Sequence, residues 1–187
     1  MRFVPITPPR FDVDLDLRYA TADNITGRPI YARPLCLLHP AAADRLAAAM
    51  VRARALGLRL RLFDAYRPPA AQWALWRALP DPTFIADPRV GSSHGRGVAV
   101  DLTLARADGT PLDMGTGFDD MTAAAGHEAL DLPPAVLANR ALLLGVMVAA
   151  GWQPYAPEWW HYNLPEPSRF PLVEDGACAP AFTIGQG

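Results

Sequence analysis

Apolar residues recur with helical spacing in three segments of the chain. The first runs from Pro40 to just before Gly57, and proline at a helix start with glycine after its end is typical of helix boundaries. Its apolar stripe consists of Ala42, Leu46, Ala49, Met50, Ala53 and Leu56. A second helix is predicted from Pro68-Pro69 onward, and a third from Pro133-Pro134 to Gly151. The third is apolar nearly all round, which predicts a helix buried on every side.

Alternation of apolar and polar residues predicts three strands. In the first, over 58–63, leucines alternate with Arg59 and Arg61. The second covers 98–104, where Val98, Val100, Leu102 and Leu104 share one face, and the third is the aromatic segment 159–164. Helices and strands do not alternate regularly. The order therefore predicts one α+β domain over residues 1–187, with a small, mainly antiparallel sheet packed with helices.

Residues 1–35 are rich in proline and are predicted to be irregular, apart from a short alternating run Asp14-Leu15-Asp16-Leu17. Wrapping around the domain and a share in a functional site are both open for this segment. Residues 112–119 contain Gly115 and Gly117 and are predicted to form a glycine-rich loop.

Composition narrows the class of protein. The chain has 187 residues, of which 51% are hydrophobic and 19% charged, which is typical of a globular protein. The formal net charge is -2 with acids and bases mixed, which argues against a nucleic-acid or membrane surface. Cys36 and Cys178 suggest neither a disulfide scaffold nor a cysteine metal site. The first residues do not fit a signal peptide, so a cytoplasmic location is expected, with a periplasmic one left open.

The stretch 92–101 carries the strongest chemical signal. His94 stands next to Gly95 and close to Gly97, which permit a tight turn, and Asp101 lies inside a predicted strand where aspartate is rare. A metal shared by the two residues would compensate the buried acid, and His161 offers a third ligand. The alternative is that His161 is an ordinary core histidine and that Asp101 caps a neighbouring amide.

Two further residues are candidates for catalysis. Glu158 precedes His161 by three residues, and a glutamate beside a metal ligand can move protons. Its alternative is a solvated surface acid. Arg67 follows the first strand and could stabilise an oxyanion, with a structural salt bridge as its alternative.

Taken together, these motifs resemble the D-alanyl-D-alanine dipeptidases, the VanX-like zinc peptidases, over nearly the whole chain. Either metal motif alone would leave wider zinc carboxypeptidase relatives open. The matching motifs are the segments 19–24, 64–68 and 101–104, Ser92-x-His94-x-x-Gly97-x-Ala99-x-Asp101, Met114-Gly115 with Phe118-Asp119, and Glu158-Trp159-Trp160-His161.

The resemblance implies one Zn²⁺ per chain, held by His94, Asp101 and His161 at the sheet of a fold of the DD-peptidase/hedgehog type. It implies Glu158 as general base and then acid, and Arg67 as the group that polarises the scissile carbonyl and stabilises the oxyanion. The residues it places at the substrate are Ser92, Tyr19 and Asp119.

The implied reaction is hydrolysis of D-Ala-D-Ala to two D-alanines by a monomer or homodimer that binds no nucleic acid and no membrane. It would serve either glycopeptide resistance or recovery of the dipeptide during cell-wall turnover. One alternative is a D,D- or L,D-carboxypeptidase acting on longer peptidoglycan stem peptides, and another is a non-catalytic zinc-binding module.

Overall fold

The computed structural model describes residues 3–174. Cys36 is a buried free thiol, whereas Cys178 lies outside the described residues, as do both ends of the predicted domain 1–187. Within 3–174 the structure has no helix long and apolar enough to span a bilayer.

Two sheets form the β part of the described chain. A small sheet pairs β1 (Val4–Pro5) with β3 (Leu37–Leu38). The strands of the larger sheet are β2 (Asp14–Leu15), β4 (Leu58–Asp64), β5 (Ala99–Arg106), β6 (Gln153–Tyr155) and β7 (Glu158–Asn163). Their order in the sheet is β2-β4-β5-β7-β6. Among its strand pairs, β2–β4 is parallel and the others are antiparallel. The predicted α+β class with a mainly antiparallel sheet is thus confirmed, and the single domain over 1–187 stays a prediction.

Residues 3–174 contain three α-helices, each with proline as its first residue. They are α1 (Pro40–Ala55), α2 (Pro69–Ala78) and α3 (Pro134–Ala149), close to the predicted bounds. Apolar residues of α1 and α3 join the main core with those of β4, β5 and β7. Residues of α2 belong to a second, smaller core that also contains Tyr19, Tyr31 and Tyr66.

The prediction for α3 was wrong in one respect, because the helix is not buried on every side. Val136, Leu143, Val146 and Met147 are buried, but Gly145 and Val148 are exposed. The outward face carries mainly alanine and glycine, which are apolar in a composition count yet cost little to expose. The polar residue Arg140 is, by contrast, buried.

Several short elements escape prediction, because two or three residues are too few to display a period. They include β1, β2, β3, β6 and a 3₁₀ turn at Arg18–Ala20. That turn buries Tyr19 to 1% exposure. The irregular leading segment therefore contributes to the interior as well as to the surface.

The connection from α2 to β5 ends in a tight turn. Residues His94–Arg96 form a single 3₁₀ turn, which Gly97 closes in the left-handed region with φ of 67°. A β-carbon placed on Gly97 would lie 2.6 Å from the ring of Phe3. Only glycine satisfies both the dihedral angle and the close contact.

We therefore expect Gly97→Ala to destabilise the protein by about 1–3 kcal/mol, from left-handed strain and the contact with Phe3. A β-carbon on the exposed helical Gly145 would, by contrast, meet no side chain of residues 3–174 within 4 Å. Gly145→Ala should accordingly stabilise α3 by up to about 1 kcal/mol. Urea unfolding in the presence of a chelator measures both without a contribution from metal binding, and equal effects of the two substitutions would contradict the argument.

Candidate functional site

His94, Asp101 and His161 come together at the centre of the larger sheet. Asp101 lies on the central strand β5 and pairs directly with His161 on β7. The 3₁₀ turn before β5 brings in His94. The Nε2 atom of His94 is 3.1 Å from Nδ1 of His161 and 3.3 Å from Oδ2 of Asp101, and Nδ1 of His161 is 2.9 Å from Oδ1 of Asp101. The predicted cluster therefore forms, and it can hold a metal ion.

The donor geometry fits such an ion. Metal–ligand bonds of about 2.0–2.1 Å in tetrahedral coordination place ligand atoms roughly 3.3 Å apart, near the distances found here. The Nδ1 atom of His94 lies 2.6 Å from the carbonyl oxygen of Ala65. Since Nδ1 must donate a hydrogen to this carbonyl, Nε2 is the ring atom that is left for a ligand bond.

The protonation states suit metal binding as well. Burial lowers the pKa of His161, so its ring is neutral at pH 7. Burial alone would raise the pKa of Asp101, but the neighbouring histidines outweigh it and hold that pKa below its usual range. Neutral imidazoles with an ionised carboxylate are the forms that bind divalent metals.

Asp64 is a second buried carboxylate beside the cluster, and sequence reasoning assigns it no role. It ends β4 opposite Asp101, next to an irregularity in the pairing. Tyr31 donates a hydrogen bond to its Oδ1 at 2.7 Å, and Arg67 donates to its Oδ2 at 2.9 Å. Because two facing carboxylates repel each other, these donors are needed to keep them adjacent.

Arg67 lies between the two carboxylates in the connection from β4 to α2, beyond the end of the strand. Its Nη2 donates to Asp101 at 3.2 Å, and its Nη1 donates to the side chain of Gln72 at 3.1 Å. Arg67 therefore does form the structural salt bridges that were its alternative interpretation, with Asp64 and Asp101. Arg67 also lines the pocket described below, so the same contacts fix the direction in which its guanidinium faces.

Glu158 is buried to 5% exposure at the start of β7, so the surface-acid alternative was wrong. Its Oε2 lies 3.9 Å from Nδ1 of His161. In a regular strand, residues three apart point to opposite faces. Here the two approach each other beside an irregular β6–β7 pairing. Burial, and then the charge of Asp101, raises the pKa of Glu158 well above its usual range, which suits a group that exchanges protons.

These side chains open into one pocket of about 190 Å³. It includes every residue predicted for metal, catalysis or substrate: Tyr19, Arg67, Ser92, His94, Asp101, Asp119, Glu158 and His161. Residues 82–86 and Tyr155 form part of the wall and escape prediction, because nothing in their local sequence marks them. The sequence analysis also misses Asp64 and Gln72. For Asp64 a signal exists, because an aspartate three residues before an arginine at the end of a strand can form an ion pair with it.

Asp119 provides the pocket with a poorly satisfied negative group. Tyr19 donates a hydrogen bond to its Oδ1 at 3.0 Å. Its Oδ2 is buried and has no hydrogen-bond partner within residues 3–174. Burial raises the pKa of Asp119 to about 7, against the opposing charge of Arg67. Its backbone has φ of 61°, an uncommon conformation for a residue other than glycine.

Comparison with known proteins identifies the family of the chain. The family model described as D-ala-D-ala dipeptidase (Peptidase M15) matches residues 2–176. The D-alanyl-D-alanine dipeptidase of Escherichia coli K12 is 46% identical over 164 residues, which cover 88% of this chain and 85% of that protein. Proteins of the same name from Streptomyces coelicolor and Enterococcus faecalis are 37% and 36% identical, over 81% and 80% of this chain and 85% and 84% of their own length. The chain thus belongs to the D-ala-D-ala dipeptidase family of peptidases.

Proposed function

We propose that this protein is a zinc-dependent dipeptidase that hydrolyses D-Ala-D-Ala to two D-alanines. The observation that carries the proposal is the content of one small pocket: a metal donor set, a buried glutamate and the unpartnered carboxylate oxygen of Asp119. The names of the relatives support D-Ala-D-Ala as the substrate, and a donor set of two imidazoles and one carboxylate supports Zn²⁺ as the metal.

Zinc held by His94, Asp101 and His161 would supply a Lewis acid that polarises a carbonyl and makes water more acidic. The protein supplies the remaining requirements. Glu158 accepts the proton of the attacking water at its carboxylate and then delivers it to the leaving amine. Its buried environment favours the protonated form after the first transfer, which stabilises the carboxyl group until the second.

Arg67 stabilises the negative charge that develops on the carbonyl oxygen. Asp64, Gln72 and Asp101 hold its guanidinium in one orientation, so little reorganisation is needed during the reaction. A guanidinium has five N–H donors, so these three contacts leave it donors for the substrate.

Asp119 and Tyr19 select the substrate through its free ammonium group. A buried carboxylate oxygen without a partner gains a strong, charge-assisted hydrogen bond when an ammonium group enters. Ser92, whose Oγ accepts the Gly95 N–H at 3.0 Å, forms part of the wall. Because Asp119 lies in the same pocket as the metal donor set, the ammonium group and the reacting carbonyl must be neighbours in the substrate, which limits it to a dipeptide.

Glu158→Gln should lower kcat for D-Ala-D-Ala by about 10²–10⁴-fold, because the amide cannot accept the proton. Metal content, measured by elemental analysis, should stay unchanged, since Glu158 is not a ligand. Glu166→Gln is the matched control, because this exposed glutamate pairs with Arg169 across a surface turn. An unchanged kcat in Glu158→Gln would refute the assigned role.

Asp119→Asn should raise KM for D-Ala-D-Ala by about 10–100-fold, because the pocket loses the charge that pairs with the ammonium. The wild type should show little turnover of N-acetyl-D-Ala-D-Ala or of a stem pentapeptide. Release of D-alanine from each peptide measures this. Efficient cleavage of the longer peptides would favour the carboxypeptidase alternative, and zinc binding without turnover of any peptide would favour the binding module.

The affinity for the dipeptide should fall as the pH is lowered. Asp119 must be ionised to bind an ammonium, and burial places its pKa at about 7. Protonation below that value removes the charge, so KM should rise by about tenfold per pH unit under pH 6. Initial rates between pH 5 and 9 test this, and in Asp119→Asn this dependence of KM should be absent. A KM that is flat over the range in the wild type would contradict it.

A further inference from the structure

Arg140 is a buried arginine on α3 that none of the proposed chemistry uses. It is 5% exposed. Its Nε donates to the carbonyl oxygen of Met114 at 2.8 Å, its Nη1 to that of Gly126 at 3.0 Å and its Nη2 to that of Ala124 at 2.9 Å. All three nitrogen atoms of one side chain are thus directed at backbone carbonyls.

Burying a charged guanidinium costs free energy, because the group loses its contacts with water. Within residues 3–174 Arg140 forms no ion pair within 4.0 Å, so its direct partners are the three backbone carbonyls. Burial lowers the pKa of Arg140, and the charge of the more distant Asp120 opposes that shift. Since the buried charge depends on three carbonyl groups, the guanidinium holds those carbonyls at fixed positions in return.

The three carbonyls lie on both sides of Asp119. Met114 precedes it and Ala124 and Gly126 follow it, so one guanidinium ties together the two stems of the segment 113–126, which we call the selector loop. The neighbouring residue on α3, Asn139, donates to the carbonyl of Asp113 at 2.8 Å and reinforces the first stem. Two neighbouring side chains of helix α3 therefore hold both stems of the selector loop by hydrogen bonds.

The tip of the selector loop is held separately. Phe118 packs against Tyr19, Phe63 and Trp160, with ring centroids 5.7, 5.0 and 5.5 Å away. Next to it, Asp119 has its unusual positive φ. An anchored tip with fixed stems keeps the carboxylate directed toward the pocket.

We propose that Arg140 is a positioning residue for substrate selection, which fixes the two stems of the selector loop and thereby aims Asp119 at the ammonium group of the substrate. This inference rests on the proposed function of Asp119. It adds a residue outside the pocket to the set that determines specificity.

The proposal predicts a particular kinetic signature. Arg140→Lys keeps the charge but cannot reach three carbonyls, and Arg140→Met keeps much of the volume but donates to none. Both should raise KM for D-Ala-D-Ala by about 10–100-fold, with a smaller change in kcat, because the metal ligands, Glu158 and Arg67 lie on other elements. Discrimination against N-acetyl-D-Ala-D-Ala should shrink in parallel.

Arg61→Met is the matched control. Arg61, on β4, also donates to a loop carbonyl, that of Gly109, at 2.6 Å. Gly109 lies beyond the end of β5 that is far from Asp101. Losing this contact should affect stability without raising KM.

A double-substitution cycle tests whether Arg140 acts through Asp119. In an Asp119→Asn background, Arg140→Lys should change KM little further, since the charge to be aimed is already gone. Fully additive effects on KM would overturn the proposal. So would a fall in kcat at unchanged KM.

Hydrogen exchange gives a readout that needs no turnover. In Arg140→Lys the amides of 113–126 should lose protection while those of β4, β5 and β7 keep it. Loss of protection across the whole protein, or none in the loop, would overturn the proposal even if kinetics changed. If the wild type did not prefer the free dipeptide, the proposed function would fall, and the exchange result would still decide whether Arg140 fixes the loop.

Discussion

The carboxylate of Asp101, buried in the middle of the sheet, is the constraint on which the rest of the site depends. An isolated charge in that position would be prohibitively costly. It is compensated by His161 directly across the sheet, by His94 from the preceding turn and by Arg67. The same contacts that make the charge tolerable also bring two imidazoles into a group that could hold a metal ion.

Arg67 links this centre to the rest of the fold. Its contacts with Asp64 and Gln72 connect the end of β4 with α2, and Gln72 in turn donates to the carbonyl of Ala86 in the pocket wall at 2.8 Å. A buried network of this kind is rigid only when every member is satisfied. The structure thus joins the stability of the pocket wall to the orientation of the Arg67 guanidinium.

The residues proposed for catalysis and for substrate selection lie on different parts of the molecule. The metal donor set and Glu158 belong to the sheet and its adjoining turn, where strand pairing fixes their positions. Asp119 lies on a loop mounted on α3. Under the proposed function, the loop would determine which substrate binds while the paired strands hold the reacting groups, as is common where binding residues lie on loops supported by a rigid scaffold.

The sequence by itself determined the three helices and the three long strands, since these depend on periods along the chain. It also identified His94, Asp101 and His161 as a candidate metal donor set from the chemistry of these residue types. It also indicated the family through motifs in a fixed order. Only the tertiary structure revealed that Glu158 approaches His161 despite opposite strand parity, and that Asp64 stands beside Asp101. It alone revealed the buried Arg140, hidden in a helix whose small residues mimic an all-apolar pattern. Such facts depend on contacts between residues distant in sequence, which no local period records.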